Sequence, residues 1–425
     1  VWPWLLEPVE EGEGSRVPDL HINGNKRLLS RPLWGKHELY VKSYLAYDPD
    51  LGLYVDSPYQ PPPPAPVELD REIPQRMIEE AHQRDMQAHL GICPIVHPDL
   101  RLEDRPVRID GVPVQPPYVA SIACLNNRNA QKYALASIED MLRHYPTADG
   151  LILDWVEFGA YRIEDHFTCF CAHCEREAKA AGFDWDLIKK DVSALWDWLH
   201  KLTPQAIGRS TRMLENPSEW VELLTRYPGW MQCLKFKAES VVGFYQRVRE
   251  LMDGLGYREA VLSARGWCPP WNRSSGMDYR ALAHVCDAVT PKLFTFDHAA
   301  MPRWYGETLL SWNPELSESQ IVDALIAWMN LPDNFERRSF ANYHIPAPTD
   351  EHPVKFEAYQ NRLDEVVDQV EGKAPCYPIS HPYLPPSQWK RMLTLIRDSR
   401  VDGMWVNMYG YLSDDKLRIL EQTWS

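Results

Sequence analysis

No stretch of the 425-residue chain reaches the roughly 18 to 20 consecutive apolar residues that a membrane-spanning helix needs. Basic residues are the scarcer charge, with 45 Lys+Arg against 60 Asp+Glu and a net charge of −15. No concentrated basic stripe offsets this, so a phosphate backbone would be repelled and nucleic-acid binding is disfavoured. No Gly-x-Gly-x-x-Gly follows a β-type run and no Walker-type Lys loop occurs, which counts against nucleotide binding. No His-x-His ends the first readable strand and no helix carries His-x-x-x-His. That weighs against a metal-dependent hydrolase or lyase built on His89, His97, His298 and His381. The acidic, Pro-broken start, Val1 to Glu13, does not read as a leader, and the expectation is a soluble, cytoplasmic protein.

What the chain does have is aromatic surface: 17 Trp and 20 Tyr, with 36 Pro among the connections. Most such rings belong in a core. Those that do not suit a ligand that is apolar on one face and hydroxylated at its edges, which describes a sugar. A carbohydrate is therefore the expected substrate, with no nucleic-acid or membrane partner; assembly into a homo-oligomer is left open.

The order of elements narrows the fold. A strand fits Glu38–Tyr47, and the Pro-rich run at residues 57–66 then breaks any regular element. A helix follows over Leu69–Arg84, its regular part starting at Pro74, and then a strand over Met86–Cys93. Ile109-Asp-Gly-Val112 carries an Asp-Gly turn signal. Ala130–His144 reads as helix and Gly150–Phe158 as strand. Residues 175–256 form a long helical insertion, most strongly amphipathic over Leu234–Met252. Strands resume at Ala260–Gly266, Ala288–Phe296, Ala374–Ser380 and Val401–Met408. Helices fit Asp278–His284, Ser317–Met329, Lys355–Val370, Ser387–Arg397 and Asp414–Thr423. This alternation predicts a (β/α)8 TIM barrel as one domain over residues 1–425, its eighth strand in the N-terminal stretch. An open doubly wound sheet is the alternative.

The nine cysteines are an odd number, which disfavours an all-disulfide scaffold. Cys169, Cys171 and Cys174 form a C-x-C-x-x-C cluster between a strand and a helix. Three thiols this close are soft ligands for a tetrahedral ion, with Zn2+ the expected occupant. Cys124 is the first candidate for the fourth ligand and His173 the second. A closed four-thiolate site is structural, because catalytic zinc keeps a position open for water. It would pin the loop that follows Asp154 and Glu157.

The block Cys124-Leu-Asn-Asn, a helix ending at His144-Tyr145, the strand Leu151–Gly159 (LILDWVEFG) and the cluster Cys169-Phe-Cys-Ala-His-Cys174 resembles the zinc-bearing β-galactosidases of glycoside hydrolase family 42, in clan A. The resemblance covers roughly residues 86–180 well and the later strands loosely. It implies a TIM-barrel glycosidase in which Glu157 is the acid/base. A carboxyl at the C-terminal end of a barrel strand, flanked by Trp155 and Phe158, has a physical reason to serve: desolvation raises its pKa toward that of a proton donor. Two positions depart from the family. Val156 stands where the family has the Asn that contacts the sugar 2-hydroxyl, and no Glu ends the segment Ala374–Ser380 to act as nucleophile.

Glycoside hydrolysis needs a second carboxylate. Asp297, ending the strand of PKLFTFDH, and Asp154, in the same strand as Glu157, are the candidates. Residues three apart on a strand point to opposite faces, so both acids serve one site only if the strand's end turns. Arg265, Trp267, Lys292, His298, His381, Asn407 and Tyr409 fall at strand ends and are the expected substrate contacts. Buried cations among them need a carboxylate or a ligand as partner. The expected activity is removal of a terminal sugar from a glycoside. A barrel that binds sugar without cleaving it is the other outcome, given the missing nucleophile.

Overall fold

The computed structural model describes residues 1–19, 26–115, 122–213 and 216–424. The N-terminal stretch forms β1 (Trp4–Val9) and β2 (Ser15–Val17), which flank β3 (Leu39–Leu45) in an antiparallel sheet of order β1-β3-β2. Trp4 lies opposite Leu45 and Leu6 opposite Ser43. The strand expected at Glu38–Tyr47 therefore exists, but it pairs locally and is not a barrel strand.

Six parallel strands make the second sheet, in the sequential order β4 (His89–Ile92), β5 (Gly150–Leu153), β6 (Val261–Trp267), β7 (Ala288–Leu293), β8 (Ile379–Ser380) and β9 (Trp405–Val406). Among the described residues the sheet has six strands where eight were expected. It is a curled half-barrel: the ring of His89 on β4 comes within 5.7 Å of that of Trp405 on β9, so the two edge strands approach each other. The inner strands β5 and β7 are buried along their whole length, as a sheet covered on both faces requires.

Helices fill the crossovers. α1 (Ile73–His82) precedes β4, and α2 (Arg128–His144) joins β4 to β5. The Asn127 side chain caps α2 by accepting from the amides of Asn129 and Ala130. Between β5 and β6 run α3 (Ala172–Ala180), α4 (Trp185–Leu199), α5 (Pro204–Met213), α6 (Pro217–Arg226) and the 27-residue α7 (Pro228–Gly254). This is the expected insertion, of which residues 214 and 215 lie outside the described residues. α8 (Trp271–Ser275) and α9 (Tyr279–Leu282) lead to β7. α10 (Thr295–Trp312), α11 (Glu318–Trp328) and α12 (Phe356–Val370) join β7 to β8. α13 (Pro386–Arg397) and α14 (Asp414–Trp424) flank β9.

Four predicted strands are shorter than expected. The strand expected to run to Phe158 stops at Leu153, and those at Ala374–Ser380 and Val401–Met408 shrink to two residues each. The strand expected over Ala288–Phe296 stops at Leu293, and Thr295 opens α10. Twelve of the eighteen residues of α10 are buried, so it shows no amphipathic period and carries Pro302 inside it. A helix apolar all round cannot be told from a buried strand by its pattern. No described helix is long and apolar enough to cross a membrane.

Candidate active site and cysteine cluster

The parallel strands deliver polar side chains to their C-terminal ends. Because side chains alternate along a strand, Ser263, Arg265 and Trp267 on β6 share a face with Thr290 and Lys292 on β7, with Arg265 level with Thr290 and Trp267 level with Lys292. The Ser263 and Thr290 hydroxyls meet at 3.0 Å beneath them. Next door, β5 ends at Leu153, and the Asp154 amide still bonds to Ile92 O of β4 at 2.9 Å. Trp155 then takes a left-handed φ of 64°, unusual for a bulky residue. That reversal answers the geometric objection to pairing Asp154 with Glu157: the two carboxylates follow a turn, not a strand, and both reach the ammonium of Lys292.

Lys292 Nζ lies 2.9 Å from Asp154 Oδ1 and 2.7 Å from Glu157 Oε1, with the Trp155 ring centroid 4.7 Å away. Arg265 Nη1 approaches Asp154 Oδ2 at 3.5 Å, and the Trp267 amide donates to Glu157 Oε2 at 2.8 Å. These contacts push the two acids in opposite directions. Burial raises the pKa of both, but at Asp154 the charges of Lys292 and Arg265 outweigh it and hold the carboxyl below its usual range. At Glu157 burial wins over Lys292 and the Trp267 amide, and the carboxyl is raised.

Asp297 joins the site from the first turn of α10, not from a strand end. It is 0% exposed, accepts a long hydrogen bond from Tyr161 at 3.5 Å, and is pushed up to about 7 by burial, against the opposing charges of Arg27 and Lys292. Tyr161 is packed edge-on against Trp267 at 4.7 Å and tilted against Trp155 at 5.6 Å. The Arg27 guanidinium sits 4.7 Å over the Phe296 ring and pairs with Asp19 at 2.7 Å. Neither Tyr161 nor Arg27 stood out in the sequence. Tyr161 lies in the loop just after Glu157, where proximity was its only signal, and Arg27 lies in a stretch with no readable element.

The expected contact residues divide. Arg265, Trp267 and Lys292 stand with Asp154 and Glu157. His381 and Asn407 lie beside them: Nε2 of His381 is 3.2 Å from Asn407 Nδ2, its ring fits between Phe294 and Phe296, and burial with Arg27 and Arg265 holds it well below its usual pKa. His298 belongs elsewhere. It points away from the carboxylates, stacked on Trp271 at 4.9 Å and near Cys268 Sγ at 3.7 Å, because its helical position turns it to the opposite side from the site. Tyr409 is 61% exposed, with the Arg31 guanidinium 4.8 Å over its ring, and lies at the protein surface. Val156 carries no polar side-chain atom and so offers a sugar no hydrogen bond where the family places Asn. His89, His97, His298 and His381 form no group with metal-ligand spacing among the described residues.

The four cysteines do converge. Cys124, Cys169, Cys171 and Cys174 are buried with all sulfurs within 4.8 Å of one another. Cys124 Sγ lies 3.4, 3.5 and 3.7 Å from those of Cys171, Cys174 and Cys169. A tetrahedron with Zn–S bonds of about 2.3 Å has edges near 3.8 Å, so the donor set fits a zinc ion. The fourth position falls to Cys124; His173 instead lies 3.4 Å from Arg176. The Val107 amide and Asn126 Nδ2 donate to the sulfurs of Cys169 and Cys174 at 3.3 and 3.4 Å, as groups supporting thiolates do. Between this cluster and Glu157 the loop is tied by Lys237 Nζ to His166 O at 2.9 Å and by the Tyr305 hydroxyl to Ala160 O. A cavity of about 40 Å3, walled in part by Cys124, Thr168 and Phe158, reaches Glu157 and has room for a water or two.

No protein-family profile matches the chain, and neither does any curated protein. Solved structures similar to it include the glycoside hydrolase domain of PgaB (BpsB) from Bordetella bronchiseptica, 12% identical over 85% of this chain and 79% of that one, with a TM-score of 0.43. The catalytic domain of β-amylase from Paenibacillus polymyxa is 10% identical over 88% of each chain, with a TM-score of 0.45. The β-galactosidase of Bacillus circulans sp. alkalophilus is 12% identical over 81% of this chain but only 44% of its own, with a TM-score of 0.42.

Proposed function

We propose that the chain is a glycoside hydrolase of the (β/α)8 kind, akin to the family 42 β-galactosidases, with Glu157 as acid/base and Asp154 as its ionised partner. The observation that carries this is the pair of carboxyls on one buried ammonium, biased in opposite directions: Glu157 toward its protonated form and Asp154 toward its charged form. Environments that push two acids apart in this way define an acid and a base or nucleophile. Their shared contact with Lys292 keeps the nearest oxygens under about 6 Å apart, short of the ~6.5–9.5 Å that inversion needs to seat a water, so retention is expected. Glu157 would protonate the leaving oxygen while Asp154 attacks the anomeric carbon. Glu157 would then take a proton from the water that releases the sugar. Asp297, neutral below about pH 7, can donate a hydrogen bond to a sugar hydroxyl. The four cysteines would hold a structural Zn2+, which supplies rigidity to the loop carrying Glu157 and Tyr161.

The test is a screen of aryl glycosides with wild type, Glu157→Gln and Asp154→Asn, with the product anomer read by NMR. Losses of at least a thousandfold in both variants and a retained configuration are expected. Absence of turnover of any glycoside by wild type, or unchanged turnover in Glu157→Gln, sinks the mechanism. A second reading, sugar binding without cleavage, draws on the closure of the site: Glu157 is 2% exposed and the cavity beside it is too small for a sugar ring. It predicts saturable glycoside binding with no product.

A further inference from the structure

A cleft of about 1,020 Å3 lies on the β4 side of the carboxylates, between the antiparallel sheet, the Pro-rich run and the segment leaving β4. This is the upper end of the roughly 300–1,000 Å3 typical of small-molecule sites, so it has room for several linked rings. Its floor is made by the nearly buried Tyr47, Tyr59 and Tyr133, while Trp4 and Tyr44 keep part of their rings open and Gln60 is exposed at the edge. Apart from His97, its aromatic side chains are Trp and Tyr and none is Phe; the hydroxyls of Tyr44, Tyr54 and Tyr59 are bonded to Glu7, Asp140 and Asp104, so these rings offer mainly their faces. Its charges are few and partly engaged: Arg101 pairs with Asp104 at 2.7 Å, and Lys42 and Asp99 are exposed and of opposite sign. Such a lining selects against a strongly anionic or cationic ligand. His97 fixes the wall by bonding to Gln60 O at 3.2 Å, with its ring against Tyr59 and Tyr133.

The cleft and the carboxylate site share strand β4. Ile92 and Cys93 line it, the Asp154 amide bonds to Ile92 O at 2.9 Å, and the Cys93 thiol lies close enough to feel the charges of Asp154, Lys292 and Arg265. We propose that this cleft binds sugar units of the substrate outside the carboxylate site, so that the substrate is an uncharged oligosaccharide or polysaccharide chain. The proposal rests on the carbohydrate reading above, and it replaces the expected terminal-sugar pocket with an extended one.

The experiment compares wild type with Ser43→Trp, which places a large ring in the cleft from an exposed strand position on the same face as Trp4 and Leu6. Calorimetry measures binding of glucose, galactose, xylose and N-acetylglucosamine oligomers of one to six units, and aryl monoglycosides report the chemistry. Wild type should bind a hexamer at least tenfold more tightly than a dimer of the same sugar. Ser43→Trp should lose that gain and leave aryl monoglycoside turnover unchanged. If Ser43→Trp does not fold, Gln60→Ala at the exposed edge takes its place, with a loss of about threefold expected. Affinity independent of chain length, full hexamer binding by Ser43→Trp, or binding of a hexaproline peptide in place of every oligosaccharide overturns the proposal. Length-dependent binding without turnover of any glycoside supports the cleft and overturns the hydrolase reading. Aryl glycoside turnover with no length dependence overturns the cleft alone.

Discussion

Around Lys292, the chain balances its own buried charge: Asp154 and Glu157 meet one ammonium, and Arg265 and a backbone amide satisfy what remains. Around Cys124 it does not. Four sulfurs crowd to within 4.8 Å of one another with two N–H donors pointed at them, and the buried Lys237 ammonium is spent on the carbonyls of His166 and Ser274. The contrast teaches where an external ion is needed. A carboxylate site can be assembled by folding alone, whereas a four-thiolate site gains its main stabilisation only when metal replaces the protons.

The largest effect should come from breaking the second centre. If the cluster holds the proposed zinc, Cys171→Ser removes one ligand of an ion whose binding in small zinc domains is worth on the order of 10 kcal/mol, so loss of stoichiometric zinc and a melting temperature lower by ten degrees or more are expected. Metal analysis and thermal melts of the variant and of chelator-treated wild type check this. A protein that carries no zinc and is indifferent to chelator would remove the contrast altogether.

Breaking the first centre should cost about 3–5 kcal/mol in Lys292→Met, because two buried carboxyls lose their shared cation. Denaturant unfolding at pH 7 measures it. The cost should shrink as pH falls toward 4, because the buried carboxyls of the variant, deprived of the ammonium, take up protons at higher pH than in wild type.

Asp297 and Asp154 sharpen the comparison by having opposite pH signatures. Asp297 sits at about 7 in the fold, above its unfolded value near 4, so the native state holds its proton more tightly. Its contribution is complete below about pH 4 and is lost as pH rises to 7, a span of about 4 kcal/mol at 1.36 kcal/mol per unit. Asp297→Asn should therefore be more stable than wild type at pH 8 and equal to it near pH 4, with Arg27, Lys292, Tyr161 and Asp19 as the groups that face it. Asp154 is held below its usual range, so Asp154→Asn should lose stability above about pH 4 and approach wild type as pH falls. Denaturant midpoints across about pH 2–8 test both signs, the Asp297 change falling between about pH 4 and 7 and the Asp154 change below about pH 4.

The smallest effect is expected at the surface. Tyr409→Ala, at an exposed position, should change stability by less than about 0.5 kcal/mol and aryl glycoside turnover by less than twofold. A larger loss in turnover would move the substrate-contacting boundary outward to Arg31 and Tyr409.

Much of the fold was legible because its signals are local. The amphipathic period of α12 and α13 and the apolar cores of β4 to β7 are written in short windows of sequence. α10 was missed because a helix buried all round has no period to read, and the missed helix carried Asp297 and His298 away from their predicted strand ends. His298 then fell outside the site and Asp297 inside it, a difference set by about one residue of helical turn. The antiparallel pairing of β3 could not be seen either, since a strand's own residues do not say which partner it takes.

Residue chemistry and spacing were enough to identify a cysteine cluster able to hold a metal ion, a carboxyl at the end of β5 and a sheet interleaved with helices, since thiol spacing and hydrophobic runs are properties of consecutive residues. Packing alone decided that Lys292 bridges Asp154 and Glu157, that Cys124 completes the cluster, that Tyr161 and Arg27 flank Asp297, and that the aromatic cleft opens beside β4. Each of those depends on the relative placement of elements far apart in the chain, and on the desolvation that placement imposes.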